Sequence, residues 1–141
     1  MPLKLSLKPG EKFVVNGAVV TNGDRRTSLI IQNKASILRE KDVLQPDDAN
    51  TPARRIYFPL MMMYLDPEDS GTYYDDFVIR MTEFMTAIKS PVVMAECVSI
   101  SRDVMSGQYY KALLKCRKLF AFEEERLTYV PESVSESPVC D

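Results

Sequence analysis

The strongest constraint on what this chain can fold into lies between Leu3 and Val43, where short apolar runs alternate with turn signals. Leu3, Leu5 and Leu7 are interleaved with Lys4, Ser6 and Lys8. At the two-residue period of a strand, this directs three leucines to one face and the lysines to the other. Further apolar runs occur at 13–15, 18–21, 28–32 and 36–39. Asn16-Gly17 and Asn22-Gly23 fall between runs, and Asn-Gly is the strongest short-range hairpin signal because both residues tolerate a positive φ. The expectation is a small antiparallel β meander, barrel-like, over residues 1–45.

Beyond it the chemistry changes. Residues 46–51 are polar and aperiodic, which predicts a linker. Thr51-Pro52, Asp66-Pro67 and Ser90-Pro91 each pair a side-chain oxygen suited to helix capping with a proline suited to the first helical position. The first helix carries Ile56, Tyr57, Leu60, Met61 and Tyr64, with Pro59 expected to kink or restart it. The second, about 70–89, has Tyr73, Phe77, Met81, Phe84 and Ile88 on one stripe. A third runs from Pro91 to about Met105 with Val93, Cys97, Ile100 and Val104 inward. Ser106-Gly107 then breaks the run before a fourth with Tyr109, Leu113, Cys116 and Phe120. The fold class is therefore α+β, a β module followed by a helical module of four helices over 52–126. Residues 127–141, rich in prolines, acids and hydroxyls, are expected to form a loose acidic tail.

Composition narrows the function classes. The chain has no histidine, which removes Ser-His and Cys-His nucleophile activation and the commonest general base. Its five glycines are scattered singly, so no phosphate-binding loop is present. An enzyme is the least supported class, and no cofactor or metal is called for. Three cysteines without CxxC spacing suggest neither a disulfide framework nor a zinc site. No window approaches the roughly 18 apolar residues of a membrane span, and the opening Met-Pro-Leu-Lys lacks a signal-peptide core. A cytoplasmic protein without membrane contact is expected. Residues 1–60 hold ten Lys/Arg against six Asp/Glu, and residues 61–141 hold eight against fourteen. The strand-rich half is basic and suits phosphates, whereas the acidic half suits protein contacts or solubility.

Other clusters have bland readings beside functional ones. Met61, Met62 and Met63 are flexible thioethers that suit a protein contact if exposed, but three consecutive helical positions cannot share one face. Lys111, Lys115 and Lys118, with Arg117, form a basic helix edge that either grips phosphates or pairs with nearby acids. The run Glu123-Glu124-Glu125 is expected to be a solvated face, since helical neighbours diverge by about 100°.

Leu3-x-Leu5-x-x-Lys8-Pro9-Gly10-Glu11-Lys12-Phe13-Val14-Val15-Asn16-Gly17, Arg25-Arg26, Ser36-Ile37-Leu38-Arg39-Glu40 and Thr51-Pro52-Ala53-Arg54-Arg55-Ile56-Tyr57-Phe58 together resemble the FlbT family of alphaproteobacterial flagellum-biosynthesis repressors, over nearly all of residues 1–120. That resemblance implies post-transcriptional control of flagellin synthesis through the 5′ leader of flagellin mRNA, lowering its translation or stability. A fainter resemblance reaches the carbon storage regulator family, small dimeric β proteins that bind RNA. Leu5, Lys8, Gly10, Glu11, Ile37, Arg39 and Glu40 fall on its pattern, while Leu7 replaces a basic residue and a central hairpin is trimmed. There the first and last strands, joined across an interlocked dimer, form the RNA site.

The expected RNA-binding residues are thus Lys4, Leu5, Lys8, Arg25, Arg26, Ile37 and Arg39. Of these, Leu5, Lys8, Ile37 and Arg39 are carried by the second resemblance, and Lys4, Arg25 and Arg26 are added for their charge. A homodimer through the β module is expected with it. The competing expectation is a protein-binding adaptor or chaperone-like module that acts on flagellin or a flagellar co-regulator through the helical half and Met61 to Met63.

Overall fold

The computed structural model describes the backbone over residues 3–136 and side chains up to residue 125. Five strands come first, β1 (Leu3–Leu7), β2 (Lys12–Val15), β3 (Ala18–Thr21), β4 (Thr27–Ile31) and β5 (Ile37–Arg39). Four helices follow, α1 (Pro52–Leu65), α2 (Ser70–Ala87), α3 (Pro91–Met105) and α4 (Tyr109–Glu136). The α+β class read from the sequence is the class observed.

The strands do not form a simple meander. β1 pairs antiparallel with β4 in a two-stranded sheet, and a second sheet has the order β3-β2-β5. Consecutive strands are joined as a hairpin at β2–β3, where Asn16 (φ 50°) and Gly17 (φ 88°) both adopt the left-handed conformation the turn requires. Asn22 and Gly23 are not in that conformation. Instead of closing a hairpin between β3 and β4, the chain crosses to place β4 against β1, with Leu5 opposite Leu29 and Leu7 opposite Thr27.

The inward leucines are two rather than three. Leu5 and Leu7 are buried, but Leu3 is 47% exposed, because a two-stranded sheet has too little breadth to cover its end. Val14 and Leu38 join the helical core, which contains Ile56, Leu60, Met63, Ile100 and Leu113. The three-stranded sheet therefore lies on the helices. Tyr64 of α1 fixes it there, since its hydroxyl accepts from the Ile37 N–H (2.8 Å) and donates to the Ile37 carbonyl (3.0 Å).

The helix signals hold with two exceptions. Thr51 Oγ1 accepts from the Arg54 N–H and Ser90 Oγ from the Val93 N–H, as N-caps do. Asp66 caps nothing with its side chain, because a 3-10 turn at Pro67–Asp69 intervenes before α2. α1 runs on through Pro59, whose ring is buried in the core. One missing i→i−4 bond there is offset by packing. α3 stops at Gly107 (φ 77°), where the Gln108 N–H bonds the Asp103 carbonyl, closing the helix end in a Schellman arrangement. The tail expected to be loose over 127–141 is helical backbone as far as Glu136, since extending an existing helix avoids the nucleation cost; residues 137–141 lie outside the described residues.

Candidate nucleic-acid interface

The expected RNA-binding residues fall into two groups. Lys4, Lys8, Arg25 and Arg26 are exposed, and among the described residues none of them forms a salt bridge, although the Lys8 charge helps hold the Glu11 carboxyl down. Leu5, Ile37 and Arg39 are structural. Leu5 is core, and Ile37 is a half-buried strand residue held by Tyr64. Arg39 is half-buried, with Nη2 donating to the Ser6 carbonyl at 2.6 Å and to Glu11 Oε2 at 2.9 Å. The guanidinium thus bridges β5 of one sheet to β1 of the other, and its charge already has a partner.

Glu11 is the acid in that bridge. Its Oε1 accepts the Lys8 N–H at 2.9 Å while Oε2 accepts from Arg39. The bond from the Lys8 backbone, followed by that from Arg39, holds the Glu11 carboxyl below the usual carboxylate range. The β1–β2 turn is closed further by the Glu11 N–H to the Lys8 carbonyl (3.0 Å).

A residue that sequence reasoning assigned to a hairpin turn, Asn22, organises the free cations. Its side-chain amide nitrogen donates to the Lys8 carbonyl at 2.8 Å and the Arg25 carbonyl at 2.9 Å, with the Leu7 carbonyl at 3.4 Å. Its Oδ1 accepts the Gly23 N–H at 2.9 Å. The backbone of Lys8 and that of Arg25 are thereby tied to one nitrogen, and the Gly10 N–H to Gly23 carbonyl bond (2.8 Å) laces the same two loops together. Lys8, Arg25 and Arg26 consequently gather at one end of the β1–β4 sheet, with Asp24 beside them. Lys4 stands along the sheet, opposite Ile30 in the register. The only signal in the sequence for this was the Asn-Gly pair itself.

The remaining clusters resolve differently. Met61 and Met63 are buried in the core and Met62 is half-buried against it, so the triplet offers no surface of the kind a partner needs. On α4, Lys115 pairs with Asp103 (2.7 Å) and Arg117 with Asp42 (3.4 Å), so two of the four cations of the basic edge are matched by acids. Glu123 is not solvated. It is buried, and its Oε2 accepts the Ala53 N–H at 2.7 Å, capping the start of α1 from α4. Of the three consecutive glutamates only this one turns inward, as the helical period requires. Among the described residues no group of three or more acid, cysteine or histidine side chains is arranged to hold a metal, and no helix is long and apolar enough to cross a membrane.

The fold and this site define a small α+β protein that presents a cationic sheet end on a helical base. Residues 3–127 match the family model of the flagellar protein FlbT. The chain is 60% identical over 135 residues to the flagellum biosynthesis repressor protein FlbT of Caulobacter vibrioides (strain ATCC 19089 / CIP 103742 / CB 15), an alignment covering 96% of each chain. It is 41% identical over 128 residues to a probable flagellum biosynthesis repressor protein FlbT of Rhodopseudomonas palustris (strain ATCC BAA-98 / CGA009), covering 91% of this chain and 99% of that one. The chain belongs to the FlbT family. No solved structure matches it.

Proposed function

We propose that this protein regulates flagellum biosynthesis after transcription, binding the 5′ leader of flagellin mRNA and lowering its translation or stability. The relatives named as repressors support the biological role. The observation that carries the chemistry is the tying of the Lys8 and Arg25 backbones by Asn22, with Arg26 next in the chain, at an exposed sheet end where none of the three is in a salt bridge among the described residues. Exposed cations at a sheet end bind phosphates by releasing counterions, and arginine planes also stack on splayed loop bases. Leu5, Ile37 and Arg39 serve this site by holding the two sheets in place. A homodimer through the β module belongs to the same reading. Among the described residues β3 has no strand on its outer side, and it exposes Val19 (69%) and Val20, a free edge suited to pairing with a second copy.

A filter-binding salt series on flagellin leader RNA tests the proposal. Affinity should fall steeply with salt, and Lys8→Ala/Arg25→Ala/Arg26→Ala should reduce the log-log slope by about 2, at roughly 0.7 per single-strand phosphate contact. Salt-independent binding, or an unchanged slope in the triple variant, would refute it.

A further inference from the structure

The helices are neighbours in the order α2, α1, α4, α3, so α2 and α3 flank the bundle and barely meet. Between them lies a cleft of about 140 Å³. Tyr74, Val78, Met81 and Met85 line it from α2, and Ser101 and Met105 from α3. Its floor is core, since Met81 is buried, but its mouth is open, with Val78 40% and Met105 77% exposed. Tyr74 to Met85 spans about three helical turns, roughly 16 Å at 1.5 Å per residue. The α3 wall is one turn, Ser101 to Met105, and the volume is that of a few side chains, so the cleft is suited to taking the apolar anchor side chains of one helix laid across its mouth along α2, with methionines that repack around different shapes.

The charges around the mouth narrow the occupant. Asp75, next to Tyr74, is exposed on the α2 rim, and Arg102, next to Ser101, is exposed on the α3 rim; neither is in a salt bridge among the described residues. From Asp66 to Ala87 the chain carries six acids and one arginine, a field that repels phosphate backbones and attracts a cationic protein. We propose that the cleft between α2 and α3 receives one amphipathic helix of a partner protein, basic on the flank that meets Asp75 and acidic on the flank that meets Arg102. This surface is separate from the cationic sheet end and stands independently of the RNA reading.

The test uses full-length protein and three fluorescein-labelled synthetic peptides of about 14 residues, roughly four turns. One has a Leu/Met stripe with Lys on one flank and Glu on the other, one has the flanks exchanged, and one is a scramble. Anisotropy should show saturable binding of the first peptide, with the other two at least about tenfold weaker. Asp75→Lys/Arg102→Glu, two surface changes that leave the core intact, should reverse the preference between the first two peptides. Val78→Asp, checked for folding by circular dichroism, should abolish binding. Absence of saturable binding, equal affinity for the flank-exchanged peptide, or a preference that does not reverse in the double variant overturns the proposal. So does dissociation of a dimer by Val78→Asp in sedimentation equilibrium, which would make the cleft a contact between copies of this chain.

Discussion

Asn22 offers the sharpest test of how this fold builds its cationic end. Its amide nitrogen makes two good bonds, to Lys8 and Arg25 carbonyls at 2.8 and 2.9 Å, and a marginal one to Leu7 at 3.4 Å. A net hydrogen bond contributes about 1 kcal/mol, so Asn22→Ala should cost ~2 kcal/mol. At this chain length that is a fall in Tm of about 6–8 °C. Asn22→Asp is nearly isosteric and keeps the acceptor for the Gly23 N–H, yet it sets a carboxylate against carbonyl oxygens. It should therefore destabilise more than the alanine variant, although it preserves shape and adds polarity. Urea unfolding followed by circular dichroism measures both. If either variant lies within about 0.5 kcal/mol of wild type, or if aspartate is better tolerated than alanine, the amide is not what ties the two loops together.

Three further outcomes are expected. The depressed pKa of Glu11, set first by the Lys8 N–H and then by Arg39, contributes stability that is fully present above the ordinary carboxylate range and is lost as pH falls through the lower folded value; Glu11→Gln should flatten the acid limb of a Tm-versus-pH curve. Met63→Ala, at a fully buried position, should cost about 2–5 kcal/mol, and Met62→Ala, half-buried, clearly less, as denaturant midpoints will show. Burial pushes the Cys97 thiol up to about 11 and the Cys116 thiol higher still, so neither should be alkylated at pH 8 until the protein unfolds, as mass-spectrometric mapping of the labelled positions will report.

The strands and helices were legible because each depends on a local period or a local turn. Asn16-Gly17 closes a hairpin and Ser90-Pro91 starts a helix, and both needed only their own neighbours. Asn22-Gly23 carries the same dipeptide with a different outcome, because a bond to the Lys8 carbonyl, 14 positions away, joins a local one to the Arg25 carbonyl and together they capture the asparagine side chain. Glu123 and Arg39 are illegible for the same reason. The inward turn of Glu123 is decided by the free N–H at the start of α1, seventy positions away in sequence. The occupation of Arg39 is decided by Ser6 and Glu11, which only the sheet topology brings near. Charge and period show which side chains are able to act, whereas partners distant in sequence decide which of them are free.

That distinction reorders the β module. The carbon storage resemblance assigns the site to the first and last strands, and here those strands do meet, but within one chain and through the Arg39 to Ser6 bond. The outer edge of β5 is closed as well, because Tyr64 uses both the N–H and the carbonyl of Ile37. A strand whose guanidinium is paired and whose edge is covered by a helix has little left for RNA or for a second copy. The open chemistry has moved to the Asn22 cluster and to the outer side of β3. The helices thus do more than support the sheet: by occupying β5 they determine which end and which edge of the β module face outward.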